Sequence, residues 1–235
     1  ALSLDHKCVR ALTTLWSRIH WSSGDGMMPP EELLEIYRFA ATWPVRGATV
    51  ELGAWVGLTT SYLAAASIAR RDGMVYAVDT FEGTKEGETH YPSVARYGGG
   101  TFEAFQDQIH RAGVADRVMP LVGLSGEVAE RYAGGPIRML LIDADHSYDG
   151  VRSDWERWSP HVAPGGLVVF HDYLFPDVAR FVDGLVEQRD DIIIKPGRVL
   201  PNLYAVTKRT GPIMAAPVHS DLPVSTASDT KKAMS

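Results

Sequence analysis

Hydrophobic positions along this chain change their spacing near residue 49. Upstream, residues 4–19 carry apolar side chains at helical intervals, and residues 30–41 repeat the pattern with acidic residues in the first turn, where the helix dipole favours them. Downstream come short, unbroken apolar runs at 49–52, 74–78, 118–122, 139–142 and 167–170. Amphipathic stretches near 59–70, 102–112, 127–132 and 151–159 separate them. Runs without polar alternation predict strands buried on both faces, and their alternation with helices predicts a parallel sheet. The pattern then ends differently. After a helix over 177–188, apolar runs at 191–195 and 203–207 flank only Pro196-Gly197-Arg198-Val199-Leu200-Pro201. That is too little chain for a crossover helix, so the two runs should pair as an antiparallel hairpin. The expected fold is α/β and doubly wound. It has a mostly parallel seven-stranded sheet, a C-terminal antiparallel hairpin and N-terminal helices.

Length and composition fit this picture. A chain of 235 residues suits one well-buried α/β domain. The expected organisation is N-terminal helices over 1–45, which cover an acceptor site or mediate oligomerisation, a ligand-binding domain over 46–210, and a flexible tail over 211–235 poor in residues to bury. One insertion, 82–100, breaks the spacing and ends in three glycines. It reads either as a functional lid or as a mobile insertion without a role. A net charge of −6 gives no electrostatic case for nucleic acid as a partner. The lone cysteine, Cys8, cannot form an intrachain disulfide, which suits a reducing compartment. No apolar run approaches the ~20 residues of a membrane span, and the opening residues lack a signal pattern, so the expectation is a cytoplasmic enzyme without membrane contact.

The first strand runs into Val50-Glu51-Leu52-Gly53-Ala54-Trp55-Val56-Gly57-Leu58-Thr59. Open parallel sheets bind ligands beyond the carboxyl ends of their strands. Gly53 permits a tight turn, and Gly57 would let the backbone approach a ligand at the next helix. The dinucleotide fingerprint needs a glycine where bulky Trp55 stands, and Glu51 would repel a pyrophosphate. A nucleoside cofactor bearing an ammonium group has the opposite preference, and S-adenosylmethionine is such a compound. Asp79 closes the second strand, where a carboxylate can accept from both ribose hydroxyls. Gly123 and Ser125 follow the third strand and could border the base, although a serine there also serves as an ordinary turn or cap residue.

The fourth and fifth strands end in Asp143-Ala144-Asp145-His146-Ser147-Tyr148 and Phe170-His171-Asp172-Tyr173. These polar residues should converge on one cleft beside the cofactor. Asp143, His171 and Asp172 make a candidate cluster for Mg²⁺ or Mn²⁺. Such an ion would stabilise an acceptor hydroxyl as it becomes an oxyanion. His146 is a candidate general base because its ordinary pKa lies near neutrality. A positioning role for His146, and capping roles for the others, stay open.

Together these stretches, with Pro164-Gly165-Gly166, resemble the class I metal-dependent O-methyltransferases typified by catechol O-methyltransferase, and more closely a bacterial branch acting on sugar hydroxyls. The resemblance spans about residues 28–207. It implies a Rossmann-like S-adenosylmethionine-binding domain in which Thr59 meets the methionine carboxylate, Asp79 the ribose, and Asp143 both cofactor and metal. It also implies Asp172 as a metal ligand, His146 at the catalytic position, and a homodimer or higher oligomer built with the N-terminal helices. His171 departs from the carboxylate usual in relatives. The expected reaction is O-methylation of a sugar or glycoside. His90, Tyr91, Arg96 and Tyr97 of the insertion, with Trp16, His20 and Trp21, are the aromatic and polar groups that favour it. O-methylation of a phenol and NAD-dependent oxidoreduction are the alternatives.

Overall fold

The computed structural model describes residues 5–17, 28–83, 94–189 and 192–209, without the side chains of 193 and 194. The tail beyond 209, His20, Trp21, and residues 84–93 of the insertion with His90 and Tyr91 lie outside the described residues.

Seven strands form one sheet: β1 (Ala48–Leu52), β2 (Val75–Asp79), β3 (Val118–Val122), β4 (Ile137–Ile142), β5 (Val162–Phe170), β6 (Ile192–Leu200) and β7 (Leu203–Lys208), in the order β3-β2-β1-β4-β5-β7-β6. All pairings from β3 to β5 are parallel, and β7 runs antiparallel to both β5 and β6. The apolar runs are continuous because successive side chains enter opposite cores. Met139, Leu141, Leu167 and Val169 pack beneath one layer of helices: α1 (His6–Trp16), α2 (Pro30–Thr42), α3 (Leu58–Arg70) and α4 (Phe102–Ala112). Their neighbours Leu140, Ile142, Val168 and Phe170 face the other layer: α5 (Ser125–Glu130), α6 (Tyr148–Trp158) and α7 (Pro176–Gln188). Among the described residues no helix is long and apolar enough to cross a membrane.

The helix expected over 4–19 is described from His6 to Trp16. Asp5 caps it by accepting the Cys8 N–H at 2.8 Å, which satisfies an otherwise orphaned donor. Cys8 and Leu15 are buried against the core, and the Trp16 indole donates to the Tyr62 hydroxyl of α3 at 2.9 Å. The hairpin departs more from expectation. The stretch 196–200, read as connection, belongs to β6, and only Pro201 and Asn202 separate the strands. Proline is tolerated here because β6 is an edge strand and Pro196 falls where the pairing register shifts between Ile193 and Gly197. The insertion after β2 is closed at its neck by the Thr101 N–H donating to the Phe81 carbonyl at 2.8 Å.

Leu141 lies at the centre of β4 with no exposed surface. Leu141→Ala should lower unfolding free energy by about 2–5 kcal/mol. Urea denaturation should show the midpoint falling with an unchanged slope.

Candidate active site

The carboxyl ends of β1 and β2 are locked together by one side chain. Asp79 accepts the Trp55 N–H on Oδ2 and the Phe81 N–H on Oδ1, both at 2.7 Å, so it fixes the turns leaving both strands. Each oxygen keeps a further lone pair for a ligand. Burial raises the Asp79 pKa, while the N–H groups of Phe81 and Trp55 oppose that rise. Trp55 itself sits at φ +49°, so a bulky side chain occupies a left-handed position that usually calls for glycine. Gly53 is required for a different reason. A Cβ there would lie 2.0 Å from the Asp143 carbonyl oxygen, where the chain leaving β1 passes the chain leaving β4.

Glu51 is 1% exposed. Its Oε2 accepts from the Thr60 hydroxyl at 2.5 Å, while Oε1 is buried with no partner among the described residues. Burial pushes its pKa up to about 8. Gly57, at φ +81°, precedes α3, and the space a Cβ would need is taken by Phe105 of α4 at 2.8 Å. Helix packing therefore demands the glycine, beside any role in admitting a ligand. The Thr59 hydroxyl is buried 3.8 Å from the Met28 sulfur. Ser125 opens α5, and its hydroxyl donates to Asp154 of α6.

The tips of β4 and β5 carry a compact ionic cluster. His171 is 6% exposed and lies between carboxylates, with Nδ1 2.8 Å from Asp143 Oδ1 and Nε2 2.8 Å from Glu32 Oε2. Burial alone would lower its pKa, but the charges and hydrogen bonds of Asp143, Asp172 and Glu32 together raise it to about 12. His146 Nε2 stands 2.8 Å from Asp172 Oδ2, close enough for an ion pair but without hydrogen-bond geometry. Its ring stacks on Phe175 with centroids 5.1 Å apart. Burial opposes its protonation, and Asp143 and Asp172 overcome that effect to raise its pKa to about 9. Asp172, at φ +55°, also accepts from Asn202 at 2.9 Å, and its carboxyl is held far below the usual range despite burial because His146 and His171 stabilise its charge.

The metal-ligand geometry differs from the sequence expectation. Among the described residues, the donors able to surround one ion are those of Asp143, His146 and Asp172, all within 4.8 Å of one another. His171 is not in this set, and its nitrogens lie 2.8 Å from Glu32 and from Asp143. The two carboxylate oxygens suit a hard divalent cation such as Mn²⁺ or Mg²⁺, and the imidazole nitrogen stands beside them.

Residues 50–173 match the model of a family described as a methyltransferase domain. The chain belongs to this methyltransferase family. Its fold is shared by solved structures of low identity. The O-methyltransferase NovP superposes with a TM-score of 0.64 over 89% of this chain and 92% of its own, at 17% identity. Cofactor-bound Rv0187 from MTB gives 0.61 over 88% and 91%, at 18% identity. TomG from Streptomyces achromogenes, in complex with SAM, gives 0.58 over 89% and 92%, at 19% identity. The oxidoreductase alternative falls with the family assignment.

Two site residues of the methyltransferase escaped the sequence reading. Glu32 passed as a helix-start residue placed for the dipole. It falls on the buried stripe of α2 with Ile36 and Phe39, and an acid on an apolar stripe was the available signal. Asn202 sits in the two-residue turn between β6 and β7, distant in sequence from Asp172, and carried no signal.

The Glu51 shift has a measurable sign. Between the ordinary carboxylate value of 4.5 and about 8, the ligand-free folded state holds a proton that the unfolded state has lost. Glu51 therefore costs stability progressively as pH rises through that window. Glu51→Gln should raise the thermal midpoint of ligand-free protein at pH 8, and the gap should close toward pH 4.5. Equal midpoints at pH 8 would contradict the burial argument.

Proposed function

We propose that this methyltransferase transfers a methyl group from S-adenosylmethionine to a hydroxyl of a sugar or glycoside. The observation that carries the cofactor reading is the unpartnered, buried Oε1 of Glu51, one strand away from Asp79. An ammonium group supplies the partner that Oε1 lacks and restores the carboxylate that burial disfavours. Asp79, on the adjacent strand, offers its free lone pairs to a diol. S-adenosylmethionine carries both groups, and when bound it supplies a methyl on an electrophilic sulfonium.

The acceptor side rests on the cluster at β4 and β5. Asp143 and Asp172 would hold a Mg²⁺ or Mn²⁺ ion, with His146 beside them. A bound cation supplies positive charge that stabilises the acceptor oxyanion and offsets the carboxylates that raise the His146 pKa. His146 Nε2 takes the hydroxyl proton as the O–C bond forms and the S–C bond breaks, leaving a neutral thioether. Phe175 fixes the imidazole plane by stacking. Glu32 and His171 hold Asp143 in place.

Trp55, whose N–H meets Asp79, and Tyr97 meet edge to face at 6.0 Å and offer aromatic surface of the kind a sugar face prefers. A second reading, O-methylation of a phenol, is favoured by Phe175, which stacks on His146 and stands 49% exposed. The exposed Val9 and Trp16 of α1 are our proposed contact for homodimer formation.

Calorimetry should detect S-adenosylhomocysteine binding, and Asp143→Ala should cut kcat by about a hundredfold or more. Labelled cofactor with Mg²⁺, offered to panels of glycosides and catechols, should label glycosides. Exclusive labelling of catechols would establish the second reading. Mn²⁺ titration followed by electron paramagnetic resonance should show binding lost in Asp172→Ala and kept in His146→Ala, with turnover lost in both. Loss of Mn²⁺ binding in His146→Ala would make His146 a ligand in place of a base.

A further inference from the structure

Three strand tips stand in a row at the cofactor edge: Glu51 on β1, the Asp79 end of β2, and Ser125 just beyond β3. Adjacent strands lie about 4.8 Å apart, so the row spans roughly 10 Å, enough for an amine, a ribose and a base in sequence. The Gly123 N–H donates to the Asp79 carbonyl at 2.9 Å, which ties the exit of β3 to that of β2. On the S-adenosylmethionine reading, this order brings the base to Ser125. A serine hydroxyl has one proton to donate and two lone pairs, and alone it can face either a donor or an acceptor.

Here the choice is already made. Asp154 on α6 is 2% exposed, and its Oδ1 accepts the Ser125 hydroxyl proton. Its Oδ2 is buried with no partner among the described residues, so no competing donor draws Asp154 away. One turn along α6, the Trp158 indole donates to the Ser125 carbonyl at 3.1 Å and holds the same residue from its backbone. Burial raises the Asp154 pKa to about 6, against the stabilising bond from Ser125, so the group is ionised and an acceptor above neutrality. With its proton committed, Ser125 Oγ can only accept.

We propose that Asp154 fixes the polarity of Ser125 and thereby makes the site selective for a purine bearing a 6-amino group over one bearing a 6-oxo group. The adenine N6 amine donates to Ser125 Oγ, whereas a 6-oxo oxygen would set one acceptor against another. This inference rests on the S-adenosylmethionine reading above. It assigns Asp154 as a specificity-determining residue that acts through Ser125, by way of a side-chain oxygen and not the end of the short helix.

The test is calorimetric affinity for S-adenosylhomocysteine and its deaminated analogue S-inosylhomocysteine. Wild-type protein should prefer the adenine form by about tenfold or more. In Asp154→Asn the amide can donate to Ser125 and free its proton, so the preference should shrink toward unity or reverse. A merely structural role would weaken both ligands together and leave their ratio unchanged, and that result overturns the proposal. Should Asp154→Asn fail to fold, Ser125→Ala decides: loss of the preference supports the assignment, and an unchanged ratio overturns it. Absence of S-adenosylhomocysteine binding by wild-type protein would instead overturn the cofactor reading beneath both.

Discussion

Burying ionisable groups beside one another is the constraint around which this site is organised. Glu32, Asp143 and Asp172 face His146 and His171 in a volume with little water, where a lone charge would cost several kcal/mol. Each member is tolerable only because the others are present. His171 is the keystone, since it touches carboxylates contributed by α2, β4 and β5 and is almost wholly enclosed.

The sheet supplies the geometry that makes such crowding possible. β1 and β4 are drawn so close at Gly53 that no side chain fits between them, and the Asp143 N–H is held by the Leu52 carbonyl at 3.0 Å. The His171 N–H is held in the same way by Ile142. Functional side chains therefore leave the sheet from backbone that is still hydrogen-bonded as strand, and their starting positions are rigid. Glu51 and Asp79 follow the same logic on the opposite side of β1. One is enclosed by the first core layer, and the other is tied by two backbone N–H groups.

The architecture was legible because its signals are local and repetitive. Continuous apolar runs such as 139–142 reported burial on both faces, and the short spacing between 195 and 203 reported the hairpin. Strand ends were equally readable, which brought Glu51, Asp79, Asp143, His146 and Asp172 into view. Less of the site could be read where meaning depends on a distant partner. Nothing near His171 in sequence shows that Glu32 reaches it across 139 positions. The packing demand on Gly57 was equally hidden, because Phe105 comes from a helix two elements away. Pro196 was taken to end a strand, although on an outermost strand a missing donor is cheap.

That last feature has a counterpart on the far side of the molecule. The opposite border strand, β3, carries Pro120, whose register partner is Ala77. Each rim of the sheet thus lacks a main-chain donor part-way along its length. Each margin of the sheet carries a proline, a residue that interrupts a backbone ladder wherever its nitrogen would have to donate.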